Sequence, residues 1–225
     1  MSGGSVQFGL NVDPNVGGLP IAERIATIED THGLELVGIQ DHPYNARLYD
    51  TFILITWLAS KTSRVPFFPN VANLPLRPPA MLAKQAATMD AFTGGRFEVG
   101  LGSGGFRDAA AGMGAPSRRP ARAREALSEA IDIVRTFWVG EPFAFHGKHY
   151  ELPAVQPGPS PAHQIGIWLG VVGPRSAALV GAKADGWSVS APYVPPDRGR
   201  PGRHRRTRSG PARSGHPCRG PISDA

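Results

Sequence analysis

Strand-like and helix-like segments alternate along most of this chain, and their order limits the possible folds more than any other feature. Buried-strand patterns fall at residues 6–12, 35–40, 65–71, 96–101, 165–170 and 186–190. Helical patterns fall at residues 19–31, 50–62, 79–92, 121–138 and 174–184. This alternation predicts a mostly parallel sheet, either an open doubly wound sheet or a closed eight-stranded barrel. The order alone does not choose between the two.

Hydrophobic periodicity predicts which helix faces meet the sheet. In the first helix the predicted apolar face carries Ile21, Ile25 and Ile28. In the long helix at 121–138 the predicted face carries Leu127, Ile131, Val134 and Trp138. Both sets follow the spacing of one side of an α-helix. Between the long helix and the next strand, residues 143–152 have the pattern of a hairpin.

Composition and charge divide the chain at residue 196. The chain has 225 residues and is 41% hydrophobic, which allows one domain or at most two. Its net charge of +6 suggests an acidic partner such as nucleic acid. However, residues 197–225 hold eight of the 24 basic residues and two of the 18 acidic ones, which leaves 16 of each sign before them. The predicted domain at 1–196 is therefore electrically balanced.

The segment at 197–225 has a different composition from the rest of the chain. Ile222 is its one aliphatic residue larger than alanine, among five glycines and four prolines. Such a segment buries too little apolar surface to offset the entropy of ordering it, so we expect a disordered tail. Its eight arginines suit salt-dependent phosphate contacts, but it lacks aromatic residues for base stacking. Nucleic-acid binding is therefore the less favoured interpretation.

The cysteine content and the N-terminal sequence indicate a reducing compartment. The single cysteine, Cys218, excludes a disulfide framework within the chain. The first residues lack the basic and apolar regions of a secretory signal. The longest strongly apolar run, 52–59, is far shorter than the roughly 20 residues that span a bilayer. We expect a cytoplasmic protein that does not cross a membrane.

A glycine-rich run, Gly100–Gly105, follows the fourth predicted strand. Its glycines can be matched to a dinucleotide-binding fingerprint, but that site needs a helix to begin within the glycines. No such helix is expected before Ala121, because glycines and prolines follow instead. The favoured alternative is a glycine-rich barrel mouth, where the absence of side chains lets a flat ligand approach the backbone. An ordinary tight turn is the third interpretation.

Two further segments follow predicted strands at the end where α/β proteins bind ligands. Asp41 and His42 follow the second strand, and they form either a loop cap or a functional pair in which the histidine exchanges a proton. Pro69–Ala80 follows the third strand and contains four prolines. It suits either an unusual ligand-contacting backbone or a plain connection. Within it, Arg77 is either a phosphate ligand or, more commonly, half of a salt bridge.

Taken together, three ordered segments resemble the bacterial luciferase-like flavin-dependent monooxygenases. They are GLELVGIQDHP at 33–43, LPLRPPAMLAKQAATMD at 74–90 and TGGRFEVGLGSG at 93–104. Later segments at 167–174 and 184–187 are similar to that family's fifth and sixth barrel strands. The resemblance covers residues 6–196, and the matching order and spacing make it specific.

The resemblance implies a TIM-type (β/α)8 barrel and an oxidoreductase that binds reduced FMN or a deazaflavin of the coenzyme F420 type. With FMN, it implies monooxygenation of a small organic substrate by dioxygen, with a separate reductase supplying the reduced flavin. It also implies a homodimer. In the deazaflavin alternative, the ring transfers a hydride. Sugar-phosphate dehydrogenases of that branch have an acidic residue directly after the glycines, where this chain has Gly105 and Phe106.

The resemblance also assigns site residues. It implies that His42 is catalytic and stabilises the reduced flavin or its peroxide through a hydrogen bond. It further implies a non-proline cis peptide behind the ring, within residues 70–72. The residues expected to bind the cofactor are Asp41, Asn70, Val71, Ala72, Gly102, Ser103, Gly104, Gly170 and Gly173.

The family pattern accounts for six strands, and an eight-stranded barrel typically takes about 250 residues. The composition of residues 197–225 is what GC-rich coding DNA gives when it is read in a shifted frame. We therefore interpret this segment as a frameshift product and expect an incomplete, inactive or weakly binding barrel. Translation of the gene in its other two frames beyond codon 195 tests this, since two further strand–helix units should appear there.

Overall fold

The computed structural model describes residues 9–33 and 35–189, which form nine strands and six α-helices. The strands are β1 (Gly9–Val12), β2 (Leu36–Ile39), β3 (Phe67–Pro69), β4 (Ala72–Asn73), β5 (Val99–Gly102), β6 (Phe143–His146), β7 (Glu151–Val155), β8 (Ile167–Leu169) and β9 (Gly186–Trp187). The helices are α1 (Leu19–His32), α2 (Thr51–Ala59), α3 (Pro79–Thr93), α4 (Arg107–Gly112), α5 (Pro120–Val139) and α6 (Pro174–Lys183). The predicted tail at 197–225 and residues 6–8 of the first predicted strand lie outside these residues.

The strands wind in one direction, as the strands of a barrel do. β1, β2 and β3 pair in parallel in that order, and β4, β5, β8 and β9 form a second parallel series. β3 and β4 are two halves of one barrel strand, interrupted at residues 70–71. Each barrel strand therefore lies beside the next one along the chain, whereas a doubly wound sheet reverses its order partway. The described residues thus form six consecutive strands of a TIM-type barrel.

The two outermost strands of this series each have a single neighbour among the described residues. β1 pairs with β2, and β9 pairs with β8. The antiparallel hairpin of β6 and β7 lies apart from both series and packs beside α5. The predicted count of six barrel strands is confirmed, and the predicted hairpin is present but ends at Val155 rather than at residue 152.

The helix ends follow local rules. Asp50 precedes α2, and its carboxylate accepts a hydrogen bond from the Ile53 N–H at 3.0 Å. Helices α1, α3, α5 and α6 each have a proline in the first turn, where a missing N–H costs nothing. α5 is capped by Gly140, which follows its last residue and has a φ of 90°, in the left-handed region that glycine adopts without strain.

The core lies between the sheet and the helices, and the predicted face of α5 is confirmed. Leu127, Ile131 and Val134 are completely buried. Trp138 is partly buried, and its indole N–H donates to the Ala83 carbonyl of α3 at 3.0 Å. α5 thus packs on α3 through the stripe that its periodicity predicts.

The predicted face of α1 is wrong at Ile21 and Ile28, while the third predicted residue, Ile25, is partly buried against the core. Ile21 is 67% exposed and Ile28 is 42% exposed, whereas Ala22, Ala26 and Glu29 are buried. The helix lies on β1, β2 and α2 through its small side chains, which allow a close approach of the backbones. Periodicity selects the stripe with the largest apolar residues, and here two of its three isoleucines face solvent.

Two other expectations need correction. A helix, α4, begins at Arg107, although the sequence predicts none before Ala121. It has six residues, and three of them are alanines, which favour helix despite the nearby glycines. The third strand is not continuous over 65–71, because the chain bends at residues 70–71 and pairs again as β4. Among the described residues, no helix is long and apolar enough to cross a membrane.

A histidine between two carboxylates fastens the loop before β8 to the start of β5. His163 Nδ1 lies 2.7 Å from Asp90 Oδ1, and Nε2 lies 3.2 Å from Glu98 Oε1. Only the protonated imidazole donates from both nitrogens. Partial burial alone would lower the pKa of His163, but the hydrogen bond to Glu98 and the charge of Asp90 outweigh it and raise the pKa.

We expect this cluster to make stability depend on pH. Because the pKa of His163 is raised in the folded protein, its contribution is complete below the ordinary value of 6.5 and is lost as the pH rises through the raised value. Urea unfolding at about pH 6 and about pH 8.5 should show a larger loss of stability for the natural chain than for His163→Gln. Equal losses in the two proteins would contradict this role.

Candidate functional site

The candidate site lies at the carboxyl ends of β2, β4, β5 and β8, and side-chain contacts join these ends to one another. In parallel α/β folds this edge is where ligands bind. Asp41 and His42 follow β2, residues 70–73 lie at the break in the third barrel strand, and residues 102–106 follow β5. The structure thus brings together most of the residues that the sequence assigns to the site.

Asp41 joins the end of β2 to Asn73 of β4 and to Arg77 through hydrogen bonds. Its buried carboxylate accepts hydrogen bonds from the Asn73 N–H at 2.8 Å and from Arg77 Nε and Nη2 at 2.8 and 2.7 Å. Arg77 also pairs with Asp50 at 2.9 Å and lies over the ring of Phe52 at 4.2 Å. The carboxylate is thus engaged by protein groups, and of the two interpretations of Arg77 the salt bridge is the one observed.

His42 lies in an aromatic cluster that sequence reasoning did not identify. Its Nδ1 is 2.7 Å from the Tyr44 hydroxyl, and the Phe106 ring packs edge-on against the imidazole with centroids 5.4 Å apart. Burial, together with the charge of Asp41, raises the pKa of Tyr44 to about 12. Phe106 is 55% exposed. The cluster joins the end of β2 to the loop after β5.

The peptide between Asn70 and Val71 is cis, at the position that the family resemblance implies. The Val71 side chain points between the ends of β5 and β8. A Cβ atom on Gly102 would lie 2.8 Å from Val71 Cγ2, and one on Gly170 would lie 2.5 Å from the same atom. These two glycines therefore make room for Val71, which forms an apolar wall of the site.

The other predicted cofactor-binding residues differ in their surroundings. Ala72 pairs with β5, and its side chain is buried in the core. Gly104 has a φ of 85°, in the region that favours glycine, and an added Cβ atom would lie only 2.5 Å from Pro75 Cγ. Ser103 is half-buried, and Gly173 has open space where a side chain would be. Gly105, beside the predicted set, is also open. Space for a ligand therefore lies above Gly105 and Gly173.

Asn73 is a site residue that the sequence analysis missed. Its Oδ1 is buried and has no hydrogen-bond partner among the described residues. A Cβ atom on Gly104 would lie 3.7 Å from this oxygen, so the amide lies beside the glycine loop. A buried acceptor without a partner is rare in proteins, which suggests that a ligand supplies the donor. Within the sequence, only its place directly after residues 70–72 signals this role.

A basic cavity of about 340 Å³ lies at the start of α5, which is also at the carboxyl end of the strands. Arg118, Arg119 and Arg122 line it together with Ser117 and His149. Glu125, in the second turn of α5, pairs with Lys148 and His149 at 2.7 and 3.1 Å. Three guanidinium groups at a helix N-terminus form a favourable site for an anion. In the part of the chain that the structure describes, no group of three or more potential metal ligands occurs.

Comparison with known proteins gives one family and consistent structural neighbours. Residues 3–221 match the model of a family described as luciferase-like monooxygenase. A putative coenzyme F420-dependent oxidoreductase from Mycobacterium tuberculosis is 34% identical over 182 residues, which are 74% of this chain and 49% of that protein. The chain spans about half the length of the curated relatives it matches.

Among solved structures, the coenzyme F420-dependent tetrahydromethanopterin reductase of Methanopyrus kandleri is similar, with 25% identity and a TM-score of 0.72. The similarity covers 83% of this chain and 56% of that one. The oxygenating constituent of 3,6-diketocamphane monooxygenase from Pseudomonas putida, solved with FMN, has 21% identity and a TM-score of 0.62. It covers 78% of this chain and 54% of that one, and it supports the fold.

Proposed function

Because the chain belongs to the luciferase-like monooxygenase family, we propose that it is an oxidoreductase that binds a flavin or deazaflavin ring at the carboxyl end of its strands. The observation that carries this proposal is the set of contacts around Asp41. Asp41 accepts from the Asn73 N–H, the adjacent His42 packs against Phe106, and Asn73 Oδ1 lies beside Gly104. One ligand at this edge can therefore meet all of these groups.

The residues present fit such a ring. The pyrimidinedione part of a flavin or deazaflavin carries an N–H donor, and Asn73 Oδ1 is a buried acceptor that lacks a donor. Val71 offers an apolar surface for a flat ring, and the space above Gly105 and Gly173 is open. The basic cavity (Ser117, Arg118, Arg119, Arg122 and His149) would hold a phosphate of the cofactor. When bound, the reduced cofactor supplies a hydride or, with dioxygen, an oxygenating equivalent.

Tyr44 is the hydrogen-bond partner of His42, with its hydroxyl 2.7 Å from Nδ1. Burial raises the pKa of Tyr44 to about 12, so the phenol keeps its proton and is able to donate to Nδ1. In the tautomer that accepts this hydrogen bond, Nε2 carries the imidazole proton and would be the hydrogen-bond donor of the site. Phe106 packs on the same imidazole and keeps water from one side of it. His42 thus donates to the cofactor or substrate in a partly dry environment.

Two cofactors fit this site, and the relatives favour the deazaflavin. The relative at 34% identity and the structure at 25% identity are both named as dependent on coenzyme F420. We therefore place deazaflavin-dependent hydride transfer first and FMN-dependent monooxygenation second. The FMN-bound structure of a more distant neighbour supports the second candidate. In that case a separate reductase would supply the reduced flavin.

We expect a small organic substrate with an apolar surface beside His42. Phe106, rather than an acidic residue, follows the glycines and touches the imidazole. An aromatic ring at this place favours an apolar substrate surface.

The exposed Ile53 and Trp57 on the outer face of α2 would suit the second copy of a homodimer.

Spectral titration tests the proposal. The natural chain is titrated with oxidised FMN and with coenzyme F420, and quenching of cofactor fluorescence gives each Kd. We expect saturable binding of at least one cofactor, with tighter binding of the deazaflavin, and weaker binding to His42→Ala. His146→Ala, which changes an exposed histidine of the hairpin, is the matched control and should bind as the natural chain does. Failure of both cofactors to bind would overturn the proposal.

A further inference from the structure

Three polar side chains from three barrel strands form a continuous row across the barrel interior. Asn70 Nδ2 donates to Asn11 Oδ1 at 3.2 Å, and Ser188 Oγ donates to Asn70 Oδ1 at 2.6 Å. We call Asn11, Asn70 and Ser188 the polar row. Ser188 follows β9, whereas Asn70 lies at the end of β3, and these strands are not neighbours. A hydrogen bond between them must therefore cross the interior.

The polar row lies on a layer of aromatic rings. Phe68 of β3 and Trp168 of β8 meet across the interior with centroids 6.3 Å apart. Asn70 lies two residues beyond Phe68. Ser188 lies two residues beyond Gly186, which pairs with Trp168. Residues two apart on a strand share a face, so the row forms the next level toward the carboxyl end. It is the floor of the open end, where the proposed cofactor binds.

The sequence leaves space for this row. A Cβ atom on Gly38 would lie 3.1 Å from Asn11 Oδ1, 3.2 Å from Asn70 Cβ and 2.8 Å from Phe68 Cε1. Any larger residue at Gly38 would therefore displace the row or the ring below it. Asn11 is exposed, while Asn70 and Ser188 are half-buried, so a ligand can reach all three.

The hydrogen-bond inventory of the row shows what it can bind. The Ser188 hydroxyl and one N–H of Asn70 are used within the row, and both amide oxygens accept from it. Among the described residues, the second N–H of Asn70 and both N–H groups of Asn11 have no partner. The row carries no charge. It therefore presents three amide donors to its ligand, which suits the oxygen of a neutral carbonyl group.

We propose that the polar row binds a carbonyl oxygen through Asn11 Nδ2 and Asn70 Nδ2. This inference rests on the proposed function, because a pyrimidinedione carbonyl of the flavin or deazaflavin is the first source of that oxygen. A carbonyl of the substrate is the second source. The shared chemistry is an uncharged oxygen acceptor held over the Asn70–Val71 bulge.

Asn11→Asp separates ligand binding from structure. The aspartate keeps the oxygen that accepts from Asn70, but it loses both spare N–H donors and places a negative charge opposite the ligand oxygen. We expect its affinity for the cofactor to fall more than tenfold, and that of Asn11→Ala to fall about five- to tenfold. His146→Ala changes an exposed side chain of the hairpin, outside the row, so its affinity should stay within about threefold of the natural value.

The closing experiment combines titration with infrared spectroscopy of the full chain. Kd values for FMN and coenzyme F420 are measured for the natural chain and the three variants, with circular dichroism as the check on folding. Infrared spectra then follow the carbonyl bands of isotopically labelled FMN and of labelled cyclohexanone. Loss of a hydrogen bond in Asn11→Ala should move the band of the bound carbonyl to higher wavenumber, and the band that moves identifies the source.

The outcomes distinguish the two proposals. If the natural chain binds neither cofactor, the proposed function and this inference fall together. If the natural chain binds and Asn11→Asp binds equally well, with no carbonyl band moved, the row has only a structural role and this inference alone is wrong. Weaker binding to Asn11→Asp in a folded protein, with either band moved in Asn11→Ala, supports it.

Discussion

Replacing Asp41 by alanine is expected to lower the free energy of unfolding by about 3–5 kcal/mol, because it removes the buried partner of a buried guanidinium group and leaves only the more exposed Asp50 to pair with it. The side chain of Arg77 is 11% exposed, and it makes two of its three short contacts to Asp41. The variant also leaves the Asn73 N–H without an acceptor. Urea unfolding followed by circular dichroism measures the loss, and cofactor binding should weaken with it because His42 is the next residue.

Asp50→Ser is the matched control for this prediction. Asp50 supplies the second carboxylate that contacts Arg77, and its side chain is 43% exposed. The substitution removes this carboxylate but keeps a residue that can cap α2. An exposed ion pair contributes little, so the loss should stay below about 1 kcal/mol. A loss of that size for Asp41→Ala as well would show that the Asp41–Arg77 pair does not hold the site together.

Replacing Gly170 by alanine is expected to destabilise the protein by about 1–3 kcal/mol through overpacking. The new Cβ atom would lie 2.5 Å from Val71 Cγ2 and 2.9 Å from Cγ1, and the β-branched side chain has little freedom to move away. The double variant Gly170→Ala with Val71→Ala should recover much of this loss, since the two side chains compete for one space.

A double-mutant cycle measures that recovery. Unfolding free energies of the natural chain, the two single variants and the double variant give the coupling between positions 71 and 170. We expect a coupling energy of about 1 kcal/mol or more that favours the double variant. Strictly additive losses would mean that Val71 does not occupy the space above Gly170.

The mostly parallel α/β order follows from the sequence, because strand and helix patterns recur in strict alternation, whereas the choice of a barrel over a doubly wound sheet comes from the family resemblance. The buried face of α5 follows from its periodicity for the same local reason. Periodicity fails for α1, where Ala22 and Ala26 make the close contact and the larger Ile21 faces outward. Helix α4 also escapes local reasoning, since three alanines compete with flanking glycines.

The site is predictable only in part, because its decisive contacts join residues that are distant in the chain. The Asp-His pair and the bulge at residues 70–72 are visible as motifs. The partner of Asp41 is 36 residues away, and Ser188 meets Asn70 across 118 residues. Nothing local in the sequence shows that Val71 fills the space above Gly102 and Gly170. These pairings depend on how the strand ends meet, which sequence spacing does not specify.

The structure of the full chain in complex with coenzyme F420 or FMN tests the central claim most directly. We predict that the ring lies against the Asn70–Val71 peptide at van der Waals distance, about 3.5–4 Å, with His42 on the same side of the barrel. The cofactor phosphate should lie among Arg118, Arg119 and Arg122. A ring bound away from the carboxyl ends of β2, β4 and β5 would contradict the account.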